Sequence, residues 1–227
     1  MAIRLAVYDL AGTTVYDDNG VNLAFRDTLD AHGIDIDPAW VNEVMGLRKI
    51  DALRTLLLRK GLTRTNDELQ QMHDEFVSRM VNYYETSPDV REIPGASEVF
   101  RELRDKGIRI AVNTGFTRSI TNTILKRLNW TIPEVIDASI TSDEVPEGRP
   151  HPYMIEELRS RFGITDPKEV AKIGDTTSDL GEGINAGCGL VIGVTSGAYT
   201  RESLETHPHT HIVNSVRETP AIILHGG

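Results

Sequence analysis

The most informative stretch of this 227-residue chain lies near its start and reads Ala6-Val7-Tyr8-Asp9-Leu10-Ala11-Gly12-Thr13-Thr14. An apolar run ends there in a carboxylate, Asp9, and a Gly-Thr turn follows at once. In a protein that alternates strands and helices, this pattern places Asp9 at the carboxyl end of a strand, where ligand crevices form. Many strands end in Asp before a turn, so the stretch alone is only a moderate signal.

Three later segments supply the other polar groups that a phosphoryl-transfer site needs. They are Val112-Asn113-Thr114-Gly115, Glu147-Gly148-Arg149-Pro150 and Ile173-Gly174-Asp175-Thr176-Thr177-Ser178-Asp179. Such chemistry requires a nucleophile, a cation and hydrogen-bond donors for the phosphoryl oxygens. Taken singly, the residues are also explained as turn formers or helix caps. Because all four segments fall in order at predicted strand ends, the catalytic interpretation is favoured.

The rest of the chain alternates strand-like and helical patterns, which predicts an α/β fold with a doubly wound parallel sheet. The predicted strands are Ile3–Tyr8, Ile108–Asn113, Val135–Ile140, Val170–Ile173, Leu190–Val194 and, more weakly, His211–Val213. The predicted helices between them are Ala96–Asp105, Ser119–Leu128, Met154–Phe162 and Ser178–Ala186.

Between the first and second strands, the chain shows helical patterns only. They are Leu23–His32, Trp40–Val44, Ile50–Lys60 and Asp67–Tyr84. This block is too long for one crossover connection, so we expect an inserted helical cap at residues 17–89 and a core at residues 1–16 and 90–227. Turn-forming residues predict hinges at Asp17-Asp18-Asn19-Gly20 and Ser87-Pro88-Asp89.

Composition restricts the classes of partner. The formal net charge of −10 argues against nucleic acid and anionic membranes as partners. Cys188 is the only cysteine, which excludes an intramolecular disulfide and a cysteine metal cluster. No leader-like or membrane-spanning apolar segment is evident, so a cytoplasmic protein with a small-molecule substrate is expected. Whether it forms a homodimer is left open.

These motifs resemble those of the haloacid dehalogenase superfamily of aspartate-nucleophile hydrolases, from about residue 3 to about residue 200. Within that superfamily the sequence is most similar to the phosphonatase branch. That branch has Ala where most relatives have a second Asp, and Arg where most have Lys; this chain has Ala11 and Arg149. The resemblance implies a Rossmann-like core with a helical cap.

A magnesium site is expected at the ends of the first and fourth strands. Asp9 can attack phosphorus through one oxygen and hold Mg²⁺ through the other. The backbone carbonyl of Ala11 and the carboxylate of Asp175 would complete the protein ligands, because Mg²⁺ prefers hard oxygen donors and keeps several waters. Asp179 would support this shell or pair with Arg149.

Phosphate binding is assigned to the second strand and the arginine. Thr114 closes the strand, and Gly115 lets backbone N–H groups approach a phosphoryl oxygen. Arg149 offers a permanently charged fork to phosphoryl oxygens or to the nucleophile. By resemblance, these are the phosphate-binding positions of the family.

Ala11 cannot transfer a proton, which limits the chemistry of the leaving group. A carbon leaving group in C–P cleavage needs an electron sink, and an iminium between a lysine and an aldehyde is one. The segment Val44-Met45-Gly46-Leu47-Arg48-Lys49-Ile50-Asp51 resembles the phosphonatase segment that carries the imine-forming lysine, with Met45, Gly46 and Lys49 at matching places. Like-charge repulsion from Arg48 and Arg54 is expected to lower the pKa of Lys49.

Two departures from that family stand at Ala52, where phosphonatase has His, and at Phe116, where it has Tyr. The sequence therefore predicts C–P cleavage of a small aldehyde phosphonate, phosphonoacetaldehyde or an analogue, through an aspartyl-phosphate and a Lys49 imine. One alternative is a phosphatase for a small phosphate ester, with Lys49 as a substrate-binding cation. The other is a binding module on a retired fold, which the intact Asp9, Thr114, Arg149 and Asp175 argue against.

Overall fold

A computed structural model describes residues 2–225, and within this range six strands form one parallel sheet. The strands are β1 (Leu5–Tyr8), β2 (Arg109–Thr114), β3 (Ala138–Thr141), β4 (Val170–Gly174), β5 (Leu190–Val194) and β6 (His211–Val213). Their order is β3-β2-β1-β4-β5-β6. The strands β1, β4 and β5 are buried on both faces, because helices cover both sides of the parallel sheet. This burial explains why their sequences are almost continuously apolar.

Helices cover the sheet and connect its strands. Those outside the inserted block are α5 (Ala96–Asp105), α6 (Arg118–Arg127), α7 (Tyr153–Arg161), α8 (Thr177–Asn185), α9 (Arg201–Glu205) and α10 (Thr219–His225). The chain goes out from β1 to β2 and β3 on one side and returns to β4, β5 and β6 on the other. The strand order therefore reverses direction beside β1, which is where parallel sheets form a ligand crevice. The predicted doubly wound α/β fold is confirmed.

Four helices lie between β1 and α5 along the chain. They are α1 (Gly20–Ala31), α2 (Pro38–Glu43), α3 (Lys49–Arg59) and α4 (Asn66–Thr86). α1 packs on α2 and α4, α3 packs on α4, and α4 also packs on α6 next to the sheet. The rings of Phe25 and Phe76, with centroids 4.4 Å apart and planes tilted by 33°, join α1 to α4. No helix in residues 2–225 has the length and apolar character to cross a bilayer.

The third strand differs from the sequence prediction. We predict Val135–Ile140, but the strand runs from Ala138 to Thr141. The N–H groups of Val135 and Ile136 donate to the carbonyl of Thr131, so this apolar pair lies in a turn before the strand. Ile136 is nevertheless fully buried, and its burial explains the apolar pattern without a strand.

Candidate active site

The predicted site residues gather at the carboxyl ends of the central strands. Asp9 follows β1, Thr114 ends β2 and Asp175 follows β4, so three neighbouring strands deliver them to one edge of the sheet. A cavity of about 270 Å³ opens there. Its walls include the predicted residues Asp9, Ala11, Met45, Gly46, Lys49, Thr114, Gly115 and Asp175.

Arg149 lies under the cavity and is held on every side. One terminal nitrogen, Nη1, donates to Oδ1 of Asp9 at 2.7 Å and lies 2.9 Å from Oδ1 of Asp179. The Nε group donates to Glu182 at 3.1 Å. The other terminal nitrogen donates to the backbone and side-chain oxygens of Asn113, both at 2.7 Å. A fully buried guanidinium with all its edges bound cannot swing away, so it fixes one oxygen of Asp9.

Lys172 and Glu182 complete this buried network, and the sequence analysis missed both. Lys172 lies 2.9 Å from Asp179 and 3.3 Å from Glu182, and it donates to the Asn113 side chain at 2.6 Å. The Asn113 amide in turn donates to both oxygens of Glu182. A lysine inside the apolar strand Val170–Gly174 was the signal that could have revealed the network.

Asp175 is buried beside Asp9 and accepts two hydrogen bonds. Thr13 donates to its Oδ1 at 2.8 Å, and the N–H of Ala198 donates to its Oδ2 at 2.8 Å. Burial is the main reason that the pKa of Asp175 rises to about 8, and the charges of Asp9 and Asp179 add to it. The pKa of Asp9 is also raised, mainly by burial, while Arg149 opposes the rise. The raised pKa values of these two carboxylates indicate that they have too little positive charge around them.

The charges of the buried cluster leave a place for a further cation. Among the buried charged residues that the structure describes, four carboxylates face three cations, which leaves one surplus negative charge. The carboxylates are Asp9, Asp175, Asp179 and Glu182, and the cations are Lys49, Arg149 and Lys172. Ligand oxygens of Asp9, Asp175 and Asp179 lie within 4.8 Å of one another. Asp179 is already bound to Arg149, Lys172 and Thr176, so Asp9 and Asp175 are the carboxylates with capacity for a metal ion.

The loop between α2 and α3 closes on the sheet edge and carries Met45 and Gly46 into the cavity wall. Gly46 has a φ of +82°, and a Cβ on it would lie 2.2 Å from Oγ1 of Thr176. A Cβ on Gly115 would lie 2.3 Å from the carbonyl oxygen of Leu47. Both glycines are therefore needed for contact between the helical block and the sheet edge. Gly115 thus allows this contact, and we also expect it to bind a phosphoryl oxygen through backbone N–H groups.

Lys49 begins α3 and is buried in the cavity wall, with only 4% of its surface exposed. Its Nζ lies 5.0 Å from the centre of the Phe116 ring and 5.7 Å from that of Phe25. Burial lowers the pKa of Lys49 to about 8, against an opposing effect of the Asp9 charge. A lysine with this pKa is a better nucleophile at neutral pH than an exposed one.

The prediction that Arg48 and Arg54 lower the pKa of Lys49 by like-charge repulsion is wrong. Arg48 points its guanidinium to the carbonyl oxygen of Pro146, at 3.2 Å, and Arg54 forms a 2.7 Å ion pair with Asp51. Desolvation by the surrounding aromatic rings is the largest cause, and Arg149 is the arginine that contributes repulsion.

Thr114 and Asp17 complete the description of the cavity. The hydroxyl oxygen of Thr114 accepts from the N–H of Phe116 at 3.2 Å, which orders the turn after β2. Asp17, which the sequence analysis treats only as a hinge residue, lines the same cavity as Lys49. The polar turn residues around Asp17 predicted a hinge but did not indicate that its side chain lines the cavity.

Comparison with known proteins agrees with this geometry. The family model of haloacid dehalogenase-like hydrolases matches residues 3–187. The chain belongs to this family. It is 30% identical over 222 residues to a phosphonoacetaldehyde hydrolase from Bacillus cereus strain B4264, covering 91% of this chain and 82% of that protein. A phosphonoacetaldehyde hydrolase from Bacillus anthracis is 32% identical over 224 residues, which cover 90% of this chain and 82% of the relative. The chain is thus a hydrolase of the haloacid dehalogenase superfamily.

Solved structures support the fold of this hydrolase. A phosphonoacetaldehyde hydrolase-like protein from Oleispira antarctica superposes with a TM-score of 0.84 at 21% identity, over 98% of this chain and 92% of that one. A hydrolase from Pseudomonas syringae superposes with a TM-score of 0.86 at 19% identity, over 96% of this chain and 99% of that one. At these identities the likeness concerns the fold.

Proposed function

We propose that this hydrolase cleaves the C–P bond of a small aldehyde phosphonate, phosphonoacetaldehyde or a close analogue. Asp9 is the nucleophile toward phosphorus and Lys49 forms an imine with the aldehyde. Residues 17–89 act as a cap over a core made of residues 1–16 and 90–227. The observation that carries the proposal is that buried Lys49 and Asp9 line one cavity of about 270 Å³. The named relatives at 30% and 32% identity support the same substrate class.

Magnesium fits the acidic cluster of this site. Asp9, the Ala11 carbonyl and Asp175 would hold the ion, and Asp179 would brace them through Arg149. When bound, Mg²⁺ neutralises negative charge on the phosphoryl oxygens and on the nucleophile. The surplus negative charge among the buried groups supports a cation at this place, and hard oxygen donors are the ligands that Mg²⁺ prefers.

The chain's own residues account for the two covalent steps. The neutral amine of Lys49 attacks the aldehyde carbon, water leaves, and the resulting iminium withdraws electrons from the neighbouring carbon. Asp9 then attacks phosphorus while the C–P electrons move into the iminium, which becomes an enamine. Arg149 holds one oxygen of Asp9 in place, and Thr114 with Gly115 binds the phosphoryl oxygens. The enamine carbon then takes up a proton from water, which restores the iminium, and water hydrolyses both the iminium and the aspartyl-phosphate.

A phosphatase acting on a small phosphate ester is the second candidate. A pKa of about 8 leaves most of Lys49 protonated at neutral pH, and a buried ammonium is a suitable clamp for an anionic substrate group. In that case Lys49 binds substrate without a covalent bond. In both cases the charge of −10 and the small cavity support a small-molecule substrate over nucleic acid or a membrane.

One experiment separates the two functions. Phosphate release is measured with phosphonoacetaldehyde and with a panel of phosphate esters, for the wild type and for Lys49→Arg. In parallel, borohydride is added with the aldehyde phosphonate, and the peptide containing Lys49 is examined by mass spectrometry. C–P cleavage predicts an adduct on Lys49 and complete loss of cleavage in Lys49→Arg, since arginine keeps the charge but cannot form the imine. Ester turnover by Lys49→Arg, with no adduct in the wild type, would establish the phosphatase instead.

A further inference from the structure

Imine formation needs a group that transfers protons near Lys49. Positions 11, 52 and 116, where such a group would be expected, do not supply one. Ala11 and Ala52 have no titratable side chain, and Phe116 has no hydroxyl. The titratable residues that line the cavity are Asp9, Asp17, Lys49 and Asp175. Asp9 and Asp175 are committed to phosphorus and to the metal ion. Asp17 is the carboxylate that is left.

Asp17 is held rigidly by the helix that follows it. The N–H groups of Gly20 and Val21, the first residues of α1, donate to its Oδ1 at 2.8 and 3.3 Å. Both bonds use the same oxygen, and within residues 2–225 no hydrogen bond is recorded to Oδ2. One oxygen therefore anchors the side chain while the other remains available to the cavity that Asp17 lines.

Asp17 and Lys49 face each other without forming a direct ion pair. Each stabilises the charged form of the other, yet among the described residues no N–O distance of 4.0 Å or less joins them. The groups that face Asp17 from elsewhere are Tyr83 and Tyr84 on α4 and Asp18 on its own loop. Because both residues line one cavity, a substrate carbonyl group bound there can contact the amine and the carboxylate.

We propose that Asp17 is the general acid and base of the imine steps, carrying protons between the Lys49 nitrogen and the carbonyl oxygen of the substrate. The proposal rests on the function proposed above. Asp17 takes a proton from the Lys49 ammonium, the amine attacks the carbonyl carbon, and Asp17 passes the proton to the carbonyl oxygen. It then takes the second nitrogen proton and gives it to the same oxygen. The C–O bond breaks, the oxygen leaves as water, and the iminium and the Asp17 carboxylate remain.

Two properties of the pair support this assignment. Burial raises the pKa of Asp17, and burial lowers that of Lys49 to about 8. The two values therefore approach each other, which favours proton transfer in both directions. An ionised Asp17 is also a counter-ion for the iminium once water has left.

The test compares imine formation in Asp17→Asn and Asp18→Asn. Both substitutions remove one negative charge, and in Asp17→Asn the new amide oxygen still accepts from the N–H of Gly20, so α1 keeps its cap. The single-turnover rate of Lys49 adduct formation is measured with phosphonoacetaldehyde and cyanoborohydride, alongside thermal unfolding. We expect a loss of about 100-fold or more in Asp17→Asn and less than about 2-fold in Asp18→Asn.

The pH profile and a third variant exclude a structural role. In the wild type the trapping rate should fall above about pH 8, where the pair has lost the proton it transfers. In Asp17→Asn the rate should instead rise through this range, since only neutral Lys49 is then required. Asp17→Ala should trap as slowly as Asp17→Asn. Wild-type trapping in folded Asp17→Asn, with slow trapping only in Asp17→Ala, would show that Asp17 merely caps α1 and would overturn the proposal. No adduct in the wild type would refute the imine itself, and with it this role.

Discussion

At the scale of single residues, the choice of arginine at position 149 has a geometric reason. Its planar group binds Asp9, Asp179, Glu182 and Asn113 at once, in four directions. A lysine has one nitrogen at the end of a flexible chain and cannot bridge all of them. The arginine therefore couples Asp9 to the buried network behind it.

Replacing Asp9 by Asn should abolish turnover and leave the fold intact. The amide has nearly the shape of the carboxylate and can still accept from Arg149, but it cannot attack phosphorus. We expect the phosphate-release rate to fall by several orders of magnitude, with little change in the unfolding temperature. Phosphate release above about 1% of the wild-type rate would show that Asp9 is not the covalent residue.

Replacing Lys172 by Met should destabilise the protein more than an ordinary surface change. The ammonium lies between Asp179 and Glu182 and is 1% exposed, so its loss leaves Arg149 alone to compensate both buried carboxylates. We expect a loss of ~3 kcal/mol in the free energy of unfolding, from urea titration. Lys126→Met on the exposed face of α6 is the control and should change it by less than about 0.5 kcal/mol. Equal effects of the two substitutions would mean that the network adds no stability.

The buried state of Lys49 should also be visible in stability against pH. Its pKa is about 8 in the folded protein and 10.5 as the ordinary value, so between these pH values the unfolded chain binds more protons. The free energy of unfolding of the wild type should therefore rise with pH over this window, relative to Lys49→Met, by up to ~3 kcal/mol. A constant difference between the two proteins from pH 8 to 10.5 would contradict a lowered pKa.

Residues differ in how well the sequence reveals them. Asp9, Thr114, Arg149 and Asp175 follow strand-like runs, and a parallel sheet brings such positions together whatever the details of packing. Lys172 is recognisable as a charge inside an apolar strand, but Glu182 looks like a solvent-facing charge of a helix until its partners across the sheet are known. Sequence spacing carries no information about such partners.

At the scale of elements, the loop between α2 and α3 connects the helical block of α1–α4 to the cavity at the sheet edge. It brings Met45 and Gly46 against Thr176 and Gly115. Ser178 donates to the Met45 carbonyl at 3.4 Å, and Tyr199 donates to the Glu43 carbonyl at 3.0 Å, so the contact continues on both sides. Such a contact limits the access of water to this side of the cavity.

A methyl group at position 46 should disturb this closure specifically. Gly46 and Gly107 both have a φ of +82°, but a Cβ would meet Thr176 at 2.2 Å in the first and nothing within 4 Å in the second. Ala at either position should cost about 1–2 kcal/mol in the free energy of unfolding because of the left-handed backbone. Only Gly46→Ala should lower kcat/KM, by about 10-fold or more. Equal activity of the two variants would show that the loop contact does not matter for turnover.

Element bounds follow from the sequence where patterns are long and fail where they are short. α5 matches its prediction, and α4 differs by one or two residues at each end, because its apolar residues repeat at helical spacing over five turns. β3 is displaced because Val135 and Ile136 belong to a turn whose hydrogen bonds leave no trace in the pattern. The helices α9 and α10 have only 5 and 7 residues, which is too short for a helical periodicity to be visible.

At the scale of the whole molecule, charge is distributed in two ways that work together. The chain carries a net charge of −10, and the buried cluster repeats that excess in its interior, with four carboxylates against three cations. Folding without a metal ion must therefore bring negative charges together out of water, which is unfavourable. A divalent cation would remove this cost in the folded state and would have no matching site in the unfolded chain.

Magnesium should therefore stabilise the protein before any substrate is present. Because only the folded state gathers Asp9 and Asp175, the unfolding temperature should rise with Mg²⁺ concentration and return to its lower value with EDTA. Asp175→Asn removes one ligand charge, so it should flatten this dependence and raise the Mg²⁺ needed for half-maximal activity. Glu147→Gln, an equal charge change on an exposed loop, is the matched control and should respond to Mg²⁺ as the wild type does. If Mg²⁺ at millimolar concentration shifted neither the unfolding temperature nor the activity of the wild type, the surplus charge would have another partner, and the metal assignment would be wrong.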